Sequence, residues 1–155
     1  MLSHVKKVTI AGTPTMVFNQ EAMEMTNIGF VGEYAKSLVE GYTDKDVPGV
    51  VANVAEFSKG ATLAAALCEQ GSRDFYELRL GHVLTMAMEQ CAGDKGDLLV
   101  NGRPNVFCVL LGVTPVAFTL RFNTAKQPSH WDLAAYSIGN TQKYRKGDRV
   151  FYRAL

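Results

Sequence analysis

The stretch Asn105 to Phe122, NVFCVLLGVTPVAFTLRF, decides the fold of this chain. Residues 106–111 are an unbroken apolar run, as in a strand that is buried on both faces. Gly112 to Pro115 is a turn signal, because glycine tolerates positive φ and proline fixes its own φ. Over residues 116–122, large apolar residues then alternate with small or polar ones, which predicts a half-buried strand. The two strands together predict an antiparallel hairpin at the centre of a sheet. We expect five side chains of this hairpin to be buried: Val106, Val109, Leu111, Phe118 and Leu120.

Upstream of the hairpin, the spacing of apolar residues is mostly that of helices. Residues 5–10 and 15–18 predict a short N-terminal hairpin, or a strand followed by an extended arm. Asn19 suits the N-cap of a first short helix, with the acidic Glu21 in its first turn. Further helices are predicted over residues 28–42, 50–57, 61–70 and 73–91, the last of them capped by Ser72.

Beyond the turn cluster at residues 93–97, the period changes to two residues. Strands are predicted over residues 98–100, 106–111, 116–122, 131–138 and 144–152, the last around a turn at 146–148. The chain is therefore predicted to be an α+β protein, with N-terminal helices packed on a mostly antiparallel C-terminal sheet. We expect one domain over residues 1–155, mainly helical in 1–93 after the short hairpin and antiparallel strands in 94–155.

Length and composition are those of one globular domain, with 155 residues of which 47% are apolar and 20% charged. The first residues, MLSHVKKVTI, lack the apolar region of a recognisable signal peptide. No apolar run approaches the length that crosses a bilayer, so no membrane partner is expected. The predicted location is the cytoplasm or the interior of an assembled particle.

The cysteines and histidines do not form a pattern that binds metal or builds a disulfide framework. The chain also lacks the glycine-rich signatures of nucleotide-binding loops, and we expect no cofactor. The residues concerned are Cys68, Cys91 and Cys108 with His4, His82 and His130.

Cys108, His130 and Asp132 are the most specific candidates for a catalytic site. A nucleophilic cysteine needs a thiolate, which a positive neighbour or a helix N-terminus must stabilise and which the substrate must reach. The apolar strand around Cys108 supplies neither, so we interpret this residue as a buried hydrophobe. The sequence does not decide whether the protein is an enzyme, but it favours a non-enzymatic role. A small cysteine-dependent hydrolase is the alternative that these residues leave.

Charge is divided unevenly along the chain, although the net charge is only +1. Residues 118–155 contain seven basic and two acidic residues, a net charge of +5, whereas residues 1–117 carry −4. Such a division suits association with an acidic partner or with another copy of the chain. The predicted interaction surface surrounds the turn at 146–148 and consists of Lys143, Arg145, Lys146, Arg149 and Arg153.

The leading functional hypothesis is a non-enzymatic structural protein that acts through its surfaces. Copies of the chain or other assembly subunits are the expected partners, as in the head–tail or neck structures of a phage or virion. The alternative is a nucleic-acid-binding module, because residues 118–155 also contain seven of the 15 aromatic residues. Aromatic faces with interleaved cations are what single-stranded nucleic acids require.

Overall fold

The computed structural model of this chain describes residues 1–70 and 77–154, except for the side chain of His4. Within these residues lie eleven strands and four helices. The strands are β1 (Leu2–Ile10), β2 (Thr13–Val17), β3 (Ile28–Val31), β4 (Thr43–Val47), β5 (Val50–Phe57), β6 (Ala61–Thr62), β7 (Asn105–Leu111), β8 (Thr114–Asn123), β9 (His130–Ser137), β10 (Lys143–Tyr144) and β11 (Arg149–Arg153). The helices are α1 (Gln20–Thr26), α2 (Glu33–Val39), α3 (Leu63–Glu69) and α4 (Leu80–Glu89).

Seven of the strands form one mixed sheet in the order β1-β5-β11-β7-β8-β9-β3. The β11–β7 and β9–β3 pairs are parallel, and the other neighbours are antiparallel. The remaining strands form two short antiparallel pairs, β2 with β4 and β6 with β10. The predicted hairpin is confirmed, because β7 and β8 pair from Asn105↔Leu120 to Leu111↔Thr114 in the middle of the large sheet.

The large sheet is covered on both faces, and the alternation along β8 separates the two layers. Phe118 and Leu120 lie under α1, α2 and α4, on what we call the helix face. Ala117 lies on the opposite face, where α3 and the β6–β10 pair cover a smaller cluster with Cys108. Four of the five side chains predicted to be buried in the hairpin have no exposed surface, whereas Leu111 is only half-buried.

The prediction of N-terminal helices packed on a C-terminal sheet is wrong. The first 62 residues supply six of the strands, and the helices are short and scattered along the chain. Residues 50–57, predicted as a helix, form β5 between β1 and β11 in the large sheet. The two N-terminal strands also do not pair with each other, because β1 joins β5 and β2 joins β4.

The helix predicted over residues 28–42 is broken by a strand at its start. Residues 28–31 form β3, which pairs in parallel with β9 at the edge of the sheet, and α2 begins only at Glu33. Gly29 lets the ring of His130 lie across β3, since a Cβ at this position would be 2.4 Å from His130 Cγ. A glycine in an apparent helical pattern therefore marks close approach by a side chain of the neighbouring strand.

Two helix boundaries can be compared with the sequence prediction. The N-cap at Asn19 is confirmed, because its Oδ1 accepts a hydrogen bond of 2.9 Å from the backbone N–H of Ala22. The helix predicted over residues 73–91 is α4, which begins at Leu80. Its proposed cap, Ser72, lies outside the described residues.

The imidazole of His82 is buried at the start of α4 and bonded through both nitrogens. Its Nδ1 accepts a hydrogen bond of 2.9 Å from the Arg79 N–H, and its Nε2 lies 2.7 Å from the carbonyl oxygen of Pro48. The neutral ring with a proton on Nε2 satisfies both contacts. Burial lowers the pKa of His82, chiefly by desolvation of the charged form, so folding favours the neutral ring.

We expect the free energy of unfolding to decrease as the pH falls from about 7.5 to about 5.5. The pKa of His82 is lower in the folded state than in the unfolded state, so below about pH 6.5 the unfolded chain binds the proton first. Urea titrations at several pH values measure this slope. His82→Gln should reduce this slope, and an unchanged slope in His82→Gln would contradict the assignment.

Among the described residues, no helix has the length and apolar character needed to cross a membrane.

Candidate functional site

A polar cleft of about 350 Å³ opens on the face of the sheet opposite α1, α2 and α4. One wall is the loop before β7, the other is β10 with the turn after it, and β8 contributes one side chain between them. We call it the basic cleft, and its lining residues are Gly102, Arg103, Pro104, Arg121, Gln142, Lys143, Tyr144, Arg145 and Asp148.

Arg121 reaches the basic cleft because of the alternation along β8. Leu120 and Phe122, its neighbours in sequence, are buried in the cluster on the helix face. Successive side chains of a strand point to opposite faces, so Arg121 projects from the other side. Asp132 lies opposite Arg121 in the register of β8 and β9. That carboxylate contacts other groups instead, accepting a hydrogen bond of 3.1 Å from Asn123 Nδ2.

Asp148 joins the two walls of the basic cleft. Its side chain is 5% exposed, and its Oδ1 accepts a hydrogen bond of 2.9 Å from Arg103 Nε. Its Oδ2 accepts a second bond, of 2.8 Å, from the backbone N–H of Arg145. Arg103 also donates through Nη2 to the carbonyl oxygen of Lys146. The loop before β7 is therefore fastened to the turn after β10 by charge-assisted hydrogen bonds.

A glycine completes this junction. Gly147 has a φ of +91°, which favours glycine, and a Cβ there would lie 2.8 Å from Arg103 Nη1. The sequence pattern Lys146-Gly147-Asp148 correctly indicated a turn. The strands on either side of that turn do not form a hairpin, however, because β10 pairs with β6 while β11 pairs with β5 and β7.

Three cations of the basic cleft have no carboxylate partner in the part of the chain that the structure describes. Arg121, Lys143 and Arg145 are exposed, and none of them forms an ion pair there. The fourth cation, Arg103, is neutralised by Asp148. The cleft thus presents three uncompensated positive charges around a common space.

The predicted interaction surface is divided by the fold. Lys143 and Arg145 line the basic cleft, and the exposed Lys146 lies beside it at the turn. Arg149 instead donates to the carbonyl oxygen of Asp97 and lies 3.4 Å from Glu56. Arg153, at the far end of β11, forms an ion pair of 2.8 Å with a carboxylate from the other half of the chain, Glu77.

The cleft also contains residues that sequence reasoning did not select. Arg103 lies outside the basic C-terminal segment, and nothing in its local pattern distinguishes it from a loop residue. Arg121 was counted in the charge of that segment, but it was not placed with the turn residues. The alternation along β8 contained the signal, because it placed Arg121 on the face away from the buried Phe118 and Leu120.

The aromatic side chains of residues 118–155 do not provide a stacking surface. Tyr136 is half-buried, and the other six rings are buried in the two clusters. Tyr144 lines the basic cleft but is only 2% exposed, with its ring stacked on Phe57. The six buried residues are Phe118, Phe122, Trp131, Tyr144, Phe151 and Tyr152.

Cys108, His130 and Asp132 do not come together as a catalytic set. Cys108 has no exposed surface, and burial raises the pKa of its thiol. It pairs with Ala117 on β8, which in turn pairs with Tyr136, six residues along β9 from His130. Six residues of strand span about 20 Å. His130 and Asp132 do meet, with 3.0 Å between Nε2 and Oδ1.

An acidic surface lies on the helix face of the molecule. It consists of four exposed glutamates on or next to α1 and α2, none of which forms an ion pair within the described residues. Lys36 is the one basic residue in these two helices. We call this the acidic helix surface, and its members are Glu21, Glu24, Glu33 and Glu40.

Comparisons of the chain with protein-family models, with curated proteins and with solved structures gave no match. The basic cleft and the acidic helix surface are therefore interpreted from their own geometry and chemistry.

Proposed function

We propose that this protein is a non-enzymatic subunit of a larger assembly and acts through its charged surfaces. The observation that carries the proposal is the position of the two surfaces. The basic cleft lies on one face of the large sheet, and the acidic helix surface lies on the other. Neither surface is neutralised within the described part of the chain, so each is free to meet a partner of opposite charge.

The simplest partner is a second copy of the same chain. Because the two surfaces lie on opposite faces, the basic cleft of one copy can contact the acidic helix surface of the next. Such a contact is heterologous, and repetition of it closes into a ring or extends into a filament. Other assembly subunits with an acidic surface fit the same cleft. A role in the head–tail or neck structure of a phage or virion stays a prediction.

A nucleic-acid-binding role receives less support from the same geometry. The three uncompensated cations suit phosphate contacts, but a single-stranded nucleic acid also requires exposed aromatic faces. The burial of six aromatic rings in residues 118–155 removes that component. A cysteine-dependent hydrolase is supported still less, since Cys108 is buried and lies far along the sheet from His130.

The proposal is tested by reversing charges on the two surfaces separately. One variant carries Lys143→Glu and Arg145→Glu in the basic cleft, and the other carries Glu24→Lys and Glu40→Lys. These glutamates lie towards the C-terminal ends of α1 and α2, where lysine is favourable to the helix. In sedimentation experiments we expect wild type to associate at low salt and to dissociate as salt rises.

Each variant alone should lose association, and an equimolar mixture of the two should regain it. Mixing should restore the contact because each reversed surface then finds a partner of opposite charge. Lys45→Glu with Lys95→Glu lies outside the basic cleft and is the control for the cleft variant, because it changes the net charge by the same amount. Association that neither surface variant changes would refute the proposal, as would a wild type that stays monomeric at low salt.

A further inference from the structure

We propose that the basic cleft binds the phosphate or pyrophosphate group of a small ligand. This inference goes beyond the assembly role and would hold for a protein that never associates with itself. Where assembly does occur, the ligand and the acidic helix surface of a neighbouring copy compete for the same cations.

The number and type of cations favour phosphate over a carboxylate. Arg121, Lys143 and Arg145 present three positive charges without an ion pair in the described ranges. A phosphomonoester carries a charge of about −1.5 to −2 and offers three strong acceptor oxygens. A single carboxylate offers one charge and two oxygens. Guanidinium groups also match phosphate geometry with two parallel hydrogen bonds, so two of the three cations are well suited to this anion.

The cations are held on ordered parts of the fold. Arg121 lies within β8, which is paired on both sides by β7 and β9. The backbone of Arg145 is fixed by its hydrogen bond to Asp148, and the backbone N–H of Gln142 donates to Asn140 Oδ1 at 2.8 Å. A site whose backbone is fixed before binding loses less conformational entropy when the ligand arrives.

The size and lining of the cleft favour a small ligand over a polynucleotide. Its volume of about 350 Å³ lies within the range of about 300–1,000 Å³ that small-ligand sites occupy. Arg103 and Asp148 join the two walls of the cleft. The buried aromatic rings offer no face on which successive bases could stack.

Isothermal titration calorimetry with pyrophosphate tests the inference on the full chain, at a protein concentration where sedimentation shows a monomer. We expect wild type to bind one equivalent at low salt. Arg121→Gln with Arg145→Gln should weaken binding by about tenfold or more, because two charge-assisted contacts are lost. Both side chains are exposed, so the variant is expected to fold as wild type does.

Lys36→Gln with Lys45→Gln removes the same charge outside the cleft and should leave pyrophosphate binding unchanged. Equal weakening in both variants would mean that only net charge matters and would overturn the inference. An absence of binding at millimolar pyrophosphate would overturn it too, even if the mixed charge-reversal variants associate.

A second titration uses a thymidine oligonucleotide in place of pyrophosphate. If it binds at the cleft and pyrophosphate cannot displace it, the ligand is single-stranded nucleic acid instead.

Discussion

Replacement of Asn105 with alanine is expected to lower the free energy of unfolding by about 3–4 kcal/mol. This amide is fully buried at the start of β7 and makes three hydrogen bonds. Its Oδ1 accepts from the Leu99 N–H at 2.7 Å, and its Nδ2 donates to the carbonyl oxygens of Leu99 and Leu120 at 3.0 and 3.1 Å. Alanine leaves three backbone groups without these partners, and a buried unpaired group costs about 1–3 kcal/mol.

Denaturant titration of purified variants measures this loss. Asn105→Asp should also be destabilised, because a carboxylate can accept from the Leu99 N–H but cannot donate to either carbonyl. Asn101→Ala is the matched control in the same loop. Its side chain accepts one exposed bond of 3.1 Å from the Arg103 N–H, so little stability should be lost. If Asn105→Ala loses no more than Asn101→Ala, the buried amide does not hold this loop.

The hairpin and the first helix cap could be predicted because their signals are local. The run at residues 106–111 and the alternation after Gly112 specify two strands and a turn within one continuous stretch. Asn19 likewise caps a helix through a residue only three positions away. In both cases neighbouring residues supply the interactions that determine the structure.

The N-terminal half could not be predicted because its strands pair with distant partners. β5 lies between β1 and β11, and buried side chains such as Val54 and Ala55 face opposite layers of the core. A strand buried on both faces loses strict alternation, so its apolar residues fit a helical spacing equally well. β3 also has a distant partner, because its pairing with β9 joins segments about a hundred residues apart.

The candidate site was only partly predictable, because charge along the chain does not reveal which charges pair in space. Arg149 and Arg153 raised the positive charge of the C-terminal segment, but the fold brings them to Glu56 and Glu77. Arg121, by contrast, lies opposite Asp132 in the register of β8 and β9 but forms no ion pair with it. Uncompensated charge, which is what binds partners, therefore depends on tertiary contacts that periodicity does not encode.

Asp148→Ala is expected to lower the free energy of unfolding by about 2–4 kcal/mol. The carboxylate is nearly inaccessible, and its removal leaves the Arg145 N–H and Arg103 Nε without acceptors. The loss should be smaller than for a fully buried ion pair, because the Arg103 side chain is 37% exposed and water can solvate the remaining charge.

Thermal or denaturant unfolding of two further variants separates the hydrogen bonds of Asp148 from its charge. Asp148→Asn keeps one side-chain oxygen, so it can satisfy either the Arg145 N–H or Arg103 but not both, and an intermediate loss is expected. Asp94→Ala removes an exposed acid with the same change of net charge and should stay close to wild type. Equal stability of the Asp148→Ala and Asp94→Ala variants would mean that the loop and the turn are held by other contacts. The walls of the basic cleft would then not depend on the junction at Asp148.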